Sequence, residues 1–321
     1  MRRPGLVYSE IIAAVESIPA GHVTTYGEIA RALGDFRAAR AVAEVVRRVG
    51  PAVGAPWHRV VSRTGEVQQG AADLLKEEGV HVVGGRVAGL SSILVGAEEL
   101  PTRPILQKMR KAQIELAKRV SLADVHEEPE LVAGGDVSYR WEEVEGLPVE
   151  VGRAAVVVVD RDLRVVDGSV LVDVPPMPYV PTYLGFREFP LIARALQKVD
   201  FDVIMVDGHG IAHPAFFGEA SHVGVCANVP AIGVAKRRLV GRLRGEEVLY
   251  LGRHVGWALH LREGGRPIYI SPGHMVSLDG AKRLVKRFRG GTRVPTPVRL
   301  AHKLSQFPKA ERGSEDLAST L

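Results

Sequence analysis

The sequence predicts an α/β chain in two parts. A mixed sheet flanked by helices fills the C-terminal two-thirds, and a small, mainly helical domain precedes it. Three observations carry this. The chain has 321 residues, 46% of them hydrophobic, enough to bury two cores. Beyond about residue 100, three strand-like segments are followed by alternating helix and strand patterns, the order of a sheet with helices on its faces. Before it, two short helical patterns flank a glycine-containing turn, as in a helix-turn-helix.

In the first part, residues 7–18 carry apolar side chains at helical spacing. Thr25-Tyr26-Gly27-Glu28 fits a capping box, with Thr25 as N-cap and Glu28 three residues on. It opens a short helix over 26–33, which Gly34 ends. A second helix, 37–49, repeats Ala41, Val42, Val45, Val46 and Val49 on one face. Gly84, Gly85 and Gly89 loosen the chain before residues 95–100, and Pro101 and Pro104 follow. The expected domains are therefore 1–95 and 96–305, with a flexible polar tail over 306–321.

The second part opens with a helix over 104–120, rich in Lys and Arg. Strands are expected at 131–139, 154–160 and 164–174. A tight turn at Arg161-Asp162 joins the last two, so they should pair antiparallel. A helix over 186–199 leads to a strand at 201–206, and a helix near 220–225 to a strand at 231–235. A late strand at 268–270 and a closing helix over 276–289 complete the pattern.

Composition narrows the function classes. No apolar run approaches the ~20 residues of a membrane span. Met1-Arg2-Arg3-Pro4 lacks the apolar core of a signal peptide. A cytoplasmic location and no membrane partner are the expectation. One cysteine, Cys226, excludes an internal disulfide and a multi-cysteine zinc site. Its apolar neighbours mark it as a buried structural thiol. The net charge is +5 and the pI about 9.4. From Lys282 to Lys303 there are eight basic residues and no acidic one, a run suited either to neutralising phosphates or to a solvated tail.

The most informative stretch is Val206-Asp207-Gly208-His209-Gly210-Ile211-Ala212-His213-Pro214, after the apolar run Phe201–Met205. A carboxylate at the end of a buried strand is suited to holding a metal, and the glycines beside His209 would let a phosphate or base approach the backbone. Asp136, on the first strand, would neighbour Asp207 if the two strands pair. Glu188 begins the intervening helix. Phosphodiester hydrolysis needs an activated water, charge neutralisation and help for the leaving oxygen, which one or two Mg²⁺ ions can supply.

These segments, with Gly134–Tyr139, Pro178–Glu188, Gly233–Lys236 and Ser271–His274, resemble endonuclease V, the deoxyinosine-directed nuclease of DNA repair, from about Pro101 to about Arg289. The resemblance implies a ribonuclease H-like fold. It also implies an endodeoxyribonuclease that uses Mg²⁺, with Mn²⁺ as a substitute. The expected cut is at the second phosphodiester 3′ to deoxyinosine, giving 3′-hydroxyl and 5′-phosphate ends. It assigns Asp136, Glu188 and Asp207 as metal ligands, with Lys236 and His274 completing the catalytic set. Lys236 would hold a phosphate or stabilise developing charge. His274 would orient or deprotonate water, or aid the leaving group. Pro178-Tyr179-Val180-Pro181 is similar to the family's strand-separating wedge, and the displaced base would lie among backbone groups near Leu184, Gly208 and His213. Thr182 follows the wedge where the family often has glycine.

A second resemblance covers the first part. Ile18–Ala30, Ala39–Val42, Pro56–Val61 and Glu77–Val80 are similar to the DNA-binding domain of O6-alkylguanine-DNA alkyltransferases, a winged-helix-like helix-turn-helix. The reactive motif of those enzymes is Pro-Cys-His-Arg, and here it reads Pro56-Trp57-His58-Arg59. Alkyl transfer needs a thiolate, which an indole cannot replace. The chain instead resembles alkyltransferase-like proteins, which bind O6-alkylguanine without removing the alkyl group. By that resemblance Tyr26 rotates the damaged nucleotide, Arg40 fills the gap in the stack, and Trp57 lines the alkyl pocket. The expected partners are DNA containing deoxyinosine or O6-alkylguanine. Three other readings remain: a lesion-binding or signalling protein with an inert nuclease, a nuclease acting on inosine in RNA, and a bifunctional alkyltransferase and endonuclease.

Overall fold

The computed structural model describes residues 5–262 and 264–308. They form two compact units. The first comprises the residues up to Arg110 together with Trp141–Val149 and Pro176–Pro181, and the second Lys111–Arg140, Glu150–Pro175 and the described residues from Thr182 onward.

In the first unit, α1 (Leu6–Glu16), β1 (Thr24–Thr25), α2 (Tyr26–Ala32) and α3 (Ala39–Arg48) are followed by a 3₁₀ turn at Trp57–Arg59 and β2 (Val60–Val61). Then come α4 (Ala71–Glu77) and the hairpin β3 (Val82–Val83) and β4 (Arg86–Val87). Ile11, Ile29, Leu33, Val42 and Val46 are fully buried on the facing helix surfaces. The two-residue turn of the hairpin is Gly84-Gly85, both at positive φ, which only glycine adopts without strain. The expected N-cap is present: Thr25 Oγ1 accepts the Glu28 N–H at 3.1 Å. The reciprocal half of the capping box is not made, because the Glu28 carboxylate turns to Arg31 and to the Ala97 N–H.

One carboxylate ties this unit together. Glu78 accepts from His58 Nε2 at 2.8 Å, from Arg59 through both Nε and Nη2, and from the Gly21 N–H. Partial burial raises its pKa, but the bonds from Arg59, His58 and Gly21 outweigh that and hold it at about 2.

α5 (Ile105–Ala117) leads into the second unit, where β5 (Val132–Val144) and β6 (Leu147–Val159), apart from their Trp141–Val149 tip, form with β7 (Val165–Asp173) the antiparallel run expected. The β5–β6 turn has Glu145 and Gly146 at positive φ. α6 (Leu184–Leu196), β8 (Val203–Val206), α7 (Glu219–Ala227) and β9 (Ala231–Ala235) are the alternating units. Next come β10 (Arg242–Arg244), β11 (Glu247–Tyr250), β12 (Arg253–Leu259) and β13 (Ile268–His274). The helices α8 (Leu278–Arg287) and α9 (Thr296–Ser305) close the unit. The nine strands form one mixed sheet in the order β10-β11-β12-β13-β9-β8-β5-β6-β7, the ribonuclease H-like arrangement. Apolar residues of α6 and α7 pack with Ala154, Val156, Val158, Ile204 and Val206 on one face. Those of α8 and α9 pack with Val157, Val159, Met205 and Ile270 on the other.

Several expectations are corrected. The meander β10–β12 and the helix α9 are additions to the pattern read from sequence. Cys226 is exposed near the end of α7, not buried. In the expected flexible tail, Gln306 donates to Ser138 and Arg140 lies 4.2 Å over the Phe307 ring; residues 309–321 fall outside the described residues. The basic run is partly committed within the fold: Lys282 pairs with Glu246, and Arg293 donates to the carbonyls of Arg266, Lys236 and Pro267. Among the described residues no helix is long and apolar enough to cross a membrane.

Two contacts yield predictions. A Cβ on Gly134 of β5 would lie 2.0 Å from the Pro297 carbonyl oxygen, so the absence of a side chain lets α9 sit directly on the sheet. Gly134→Ala is expected to destabilise the protein by about 1–3 kcal/mol, read as a lower denaturation midpoint in urea. Glu78, whose folded pKa is depressed from 4.5 to about 2, contributes stability that is present above pH 4.5 and lost as pH falls towards 2. The melting temperature of the wild type should exceed that of Glu78→Gln at pH 6, and the gap should close across that window.

Candidate active site

The site starts from a strand register. β5 and β8 run parallel, with Gly135 opposite Val206, and the Asp207 N–H donates to the Gly135 carbonyl at 3.2 Å. The next residues, Asp136 and Asp207, therefore leave neighbouring strands side by side. α9, drawn in at Gly134, brings a third group: ligand atoms of Asp136, Asp207 and His302 all lie within 4.8 Å of one another. His302 Nδ1 is 3.1 Å from Asp136 Oδ2, which also accepts from Ser305 Oγ at 2.5 Å. Lys236 Nζ, at the end of β9, meets Asp207 Oδ2 at 2.5 Å.

Glu188 lies in the early turns of α6, beside Arg187. The Arg187 guanidinium pairs with Glu150 at 2.7 Å and covers the Tyr139 ring at 3.7 Å, which fixes this part of the helix. Glu188 is buried, and its pKa is pushed up, first by burial and then by the charges of Asp136 and Asp207. Burial also raises the pKa of Asp207, against the pull of Lys236. A further acid joins them: Glu219, the first residue of α7, is 2% exposed, and neither carboxyl oxygen has a hydrogen-bond partner.

His302, Ser305 and Glu219 escaped the sequence reading. A signal for the first two existed in Pro295-Thr296-Pro297, which opens a helix whose Val298, Ala301 and Leu304 repeat at helical spacing. The stretch was read only for its charge. His274, the histidine selected from sequence, is not part of the Asp136–Asp207–His302 group. It ends β13, its Nδ1 accepts the Ser121 N–H at 3.1 Å, and burial lowers its pKa, with the Arg119 charge adding to the effect. The proton of the neutral ring is thus on Nε2.

The loop after Asp207 is built differently from expectation. A Cβ on Gly208 would lie 2.1 Å from Glu219 Oε2, and one on Gly210 would lie 2.0 Å from the Pro272 carbonyl oxygen. These glycines admit the chain's own groups where a Cβ would stand. His213 is buried: its Nδ1 accepts the Ala215 N–H, so Nε2–H donates to the Thr182 carbonyl at 3.1 Å. Gln113 donates to the same carbonyl at 2.9 Å. Thr182 has φ +72°, a left-handed conformation costly for a β-branched residue, and Leu184 then begins α6.

In the first unit, Met177, Pro178 and Val180 are buried while Tyr179 between them is 56% exposed, with Pro181 partly buried. Elsewhere in that unit a cavity of about 530 Å³ is lined by Trp57 together with Glu16, Pro51, Pro56, Arg59 and Leu74. Gly50 permits a close approach of chain segments here: a Cβ there would lie 2.4 Å from the Val46 carbonyl oxygen and 2.9 Å from Trp57 Cβ. Tyr26 is partly buried at the start of α2, and burial raises its pKa against the pull of Arg47. Arg40 is exposed in the first turn of α3.

Comparison with known proteins agrees with this geometry. Residues 114–303, more than half of the chain, match the endonuclease V family, and residues 7–80 match the DNA-binding domain of 6-O-methylguanine DNA methyltransferase. Endonuclease V of Geotalea uraniireducens is 39% identical over 212 residues, 63% of this chain and 88% of that protein. The structure of Streptomyces avermitilis endonuclease V aligns with a TM-score of 0.56 at 35% identity, covering 62% of this chain and 90% of that one. Ciona intestinalis endonuclease V, bound to a 24-mer DNA containing an inosine followed by a ribo-adenosine, aligns with a TM-score of 0.56 at 26% identity, covering 62% and 95%. The chain belongs to the endonuclease V family and is an endodeoxyribonuclease of DNA repair, with an alkyltransferase-type DNA-binding domain at its N-terminal side.

Proposed function

We propose that the protein nicks DNA in a Mg²⁺-dependent reaction at the second phosphodiester 3′ to deoxyinosine, leaving 3′-hydroxyl and 5′-phosphate ends, and that its N-terminal domain is a non-catalytic sensor of O6-alkylguanine. The observation that carries the nuclease reading is the meeting of Asp136, Asp207 and His302 at one point, with buried Glu188 nearby. Several buried carboxylates against the single ammonium of Lys236 leave negative charge that a hard divalent cation fits. Asp136, Asp207 and Glu188 would hold it. Bound there, Mg²⁺ supplies an activated water, charge neutralisation at the phosphate and support for the leaving oxygen, and Mn²⁺ can stand in for it.

The chain's own groups do the rest. Lys236 balances Asp207 until a phosphate oxygen competes for its ammonium. Ser305 and His302 fix the Asp136 carboxylate, and the half-exposed His302 ring can hold or give up a proton at Nε2. We therefore assign the acid–base role to His302 rather than His274. Tyr179, exposed between buried residues, offers a flat face to an unstacked base. The Thr182 carbonyl, gripped by Gln113 and His213, holds the backbone that leads to Leu184 and would edge the base pocket.

The sensor reading rests on Trp57 standing on the cavity wall where alkyl transfer would need a thiol. His58 is engaged with Glu78, a structural bond. A second reading, cleavage of inosine-containing RNA, draws support from the ribo-adenosine in the Ciona complex. Matched DNA and RNA substrates separate the two.

An end-labelled duplex with one deoxyinosine tests the nuclease. We expect one nick in Mg²⁺, none in EDTA and none with Asp136→Ala. His302→Ala should lower the rate roughly 10²- to 10⁴-fold and His274→Ala much less. Equal nicking of undamaged duplex would overturn the reading. For the sensor, Trp57→Ala should weaken binding to O6-methylguanine duplex roughly 10- to 100-fold in fluorescence anisotropy, from lost stacking. Mass spectrometry should find no methyl group added to the wild type.

A further inference from the structure

Among the described residues, Glu219 is a buried acid near the active site to which neither the sequence pattern nor the proposed mechanism gives a role. Its carboxyl group is buried in protein, and with both acids ionised no donor among the described residues reaches either oxygen; only a proton shared with Glu188 would give it a hydrogen bond. It faces Glu188, another buried carboxyl group, and Asp207 and Asp136 act on it from nearby. Its placement is built in. The carboxylate lies against the Gly208 backbone, directly after Asp207, at a point where any side chain on residue 208 would collide with Oε2 at 2.1 Å. A position at the start of α7 favours a negative charge, but that explains neither the lack of a partner nor the approach to a second carboxylate. A buried charge without a partner is costly to retain, and two facing carboxylates need something positive between them. Lys236 is bonded to Asp207, and Arg187 to Glu150.

We propose that Glu219 is a further metal-binding residue of this nuclease, holding a divalent cation together with Glu188. This rests on the metal-dependent reading of the Asp136–Asp207 site. It extends that site along Gly208 to the start of α7 and makes α7 part of the metal-binding frame. A hard cation such as Mg²⁺ or Mn²⁺ matches an all-oxygen pair of this kind.

Mn²⁺ uptake by the full-length protein, followed by the loss of the free-ion signal in electron paramagnetic resonance, tests it without reference to activity. Wild type, Glu219→Gln, Glu219→Leu and Asp207→Asn would be titrated, with circular dichroism as a check of fold. The expected result is that both Glu219 variants lose an equivalent of bound Mn²⁺ or bind it at least tenfold more weakly. Glu219→Leu removes a buried carboxyl group that pairs with no basic group, so without metal it should melt at or above the wild-type temperature, while losing part of the Mn²⁺-induced rise. Mn²⁺ binding by the Glu219 variants within twofold of wild type would overturn the role of Glu219 alone. Absence of Mn²⁺ binding in the wild type, with no change in Asp207→Asn, would overturn the underlying metal-site reading instead.

Discussion

Repulsion among buried carboxylates is the constraint around which the second unit is organised. Buried Asp136, Glu188 and Glu219 and the partly buried Asp207 are brought to one neighbourhood from β5, α6, α7 and the end of β8. The framework must be stiff enough to hold them there. It is provided by the parallel pairing of β5 with β8 in the interior of a nine-stranded sheet, with an apolar layer on each face. Burial and mutual charge raise the pKa values of Glu188 and Glu219, so the acids approach one another more readily as neutral groups than as anions.

Close approach of backbone to backbone is the second theme. Gly134 lets α9 touch the sheet, Gly210 meets the Pro272 carbonyl, and Gly233 lies against the backbone of residues 208–210. Each contact removes a side chain so that a functional side chain can stand elsewhere: His302 and Ser305 reach Asp136 because α9 is close, and Glu219 fits because residue 208 is a glycine. Local composition thus sets the reach of groups more than a hundred residues away in sequence.

Much of this was legible beforehand. Hydrophobic patterning fixed β9 at its observed bounds, and the Arg161-Asp162 turn gave the β6–β7 pairing. The neighbouring strands of Asp136 and Asp207 followed from the ribonuclease H-like sheet that the resemblance implied. His302 did not, because its significance depends on where α9 docks, and docking is decided by a steric gap at Gly134 that no periodicity encodes. Cys226 was misjudged for a related reason: apolar neighbours in sequence do not say which side of α7 faces water. The meander was harder to read because its edge strand β10 is three exposed residues, two of them arginine, with no buried position to mark a face.

The indole of Trp57 on the cavity wall has a consequence for numbers of molecules. A protein that repairs by accepting an alkyl group on its own thiol is spent after one lesion, so its capacity equals its copy number. The lining of this cavity offers no thiol. On the proposed sensor reading, a lesion that enters would leave unaltered, and the domain would be ready again at once. Its performance would then be set by residence time: long enough to mark a site, short enough to move to the next. Such a domain stays useful at low abundance, where a single-use acceptor would be exhausted.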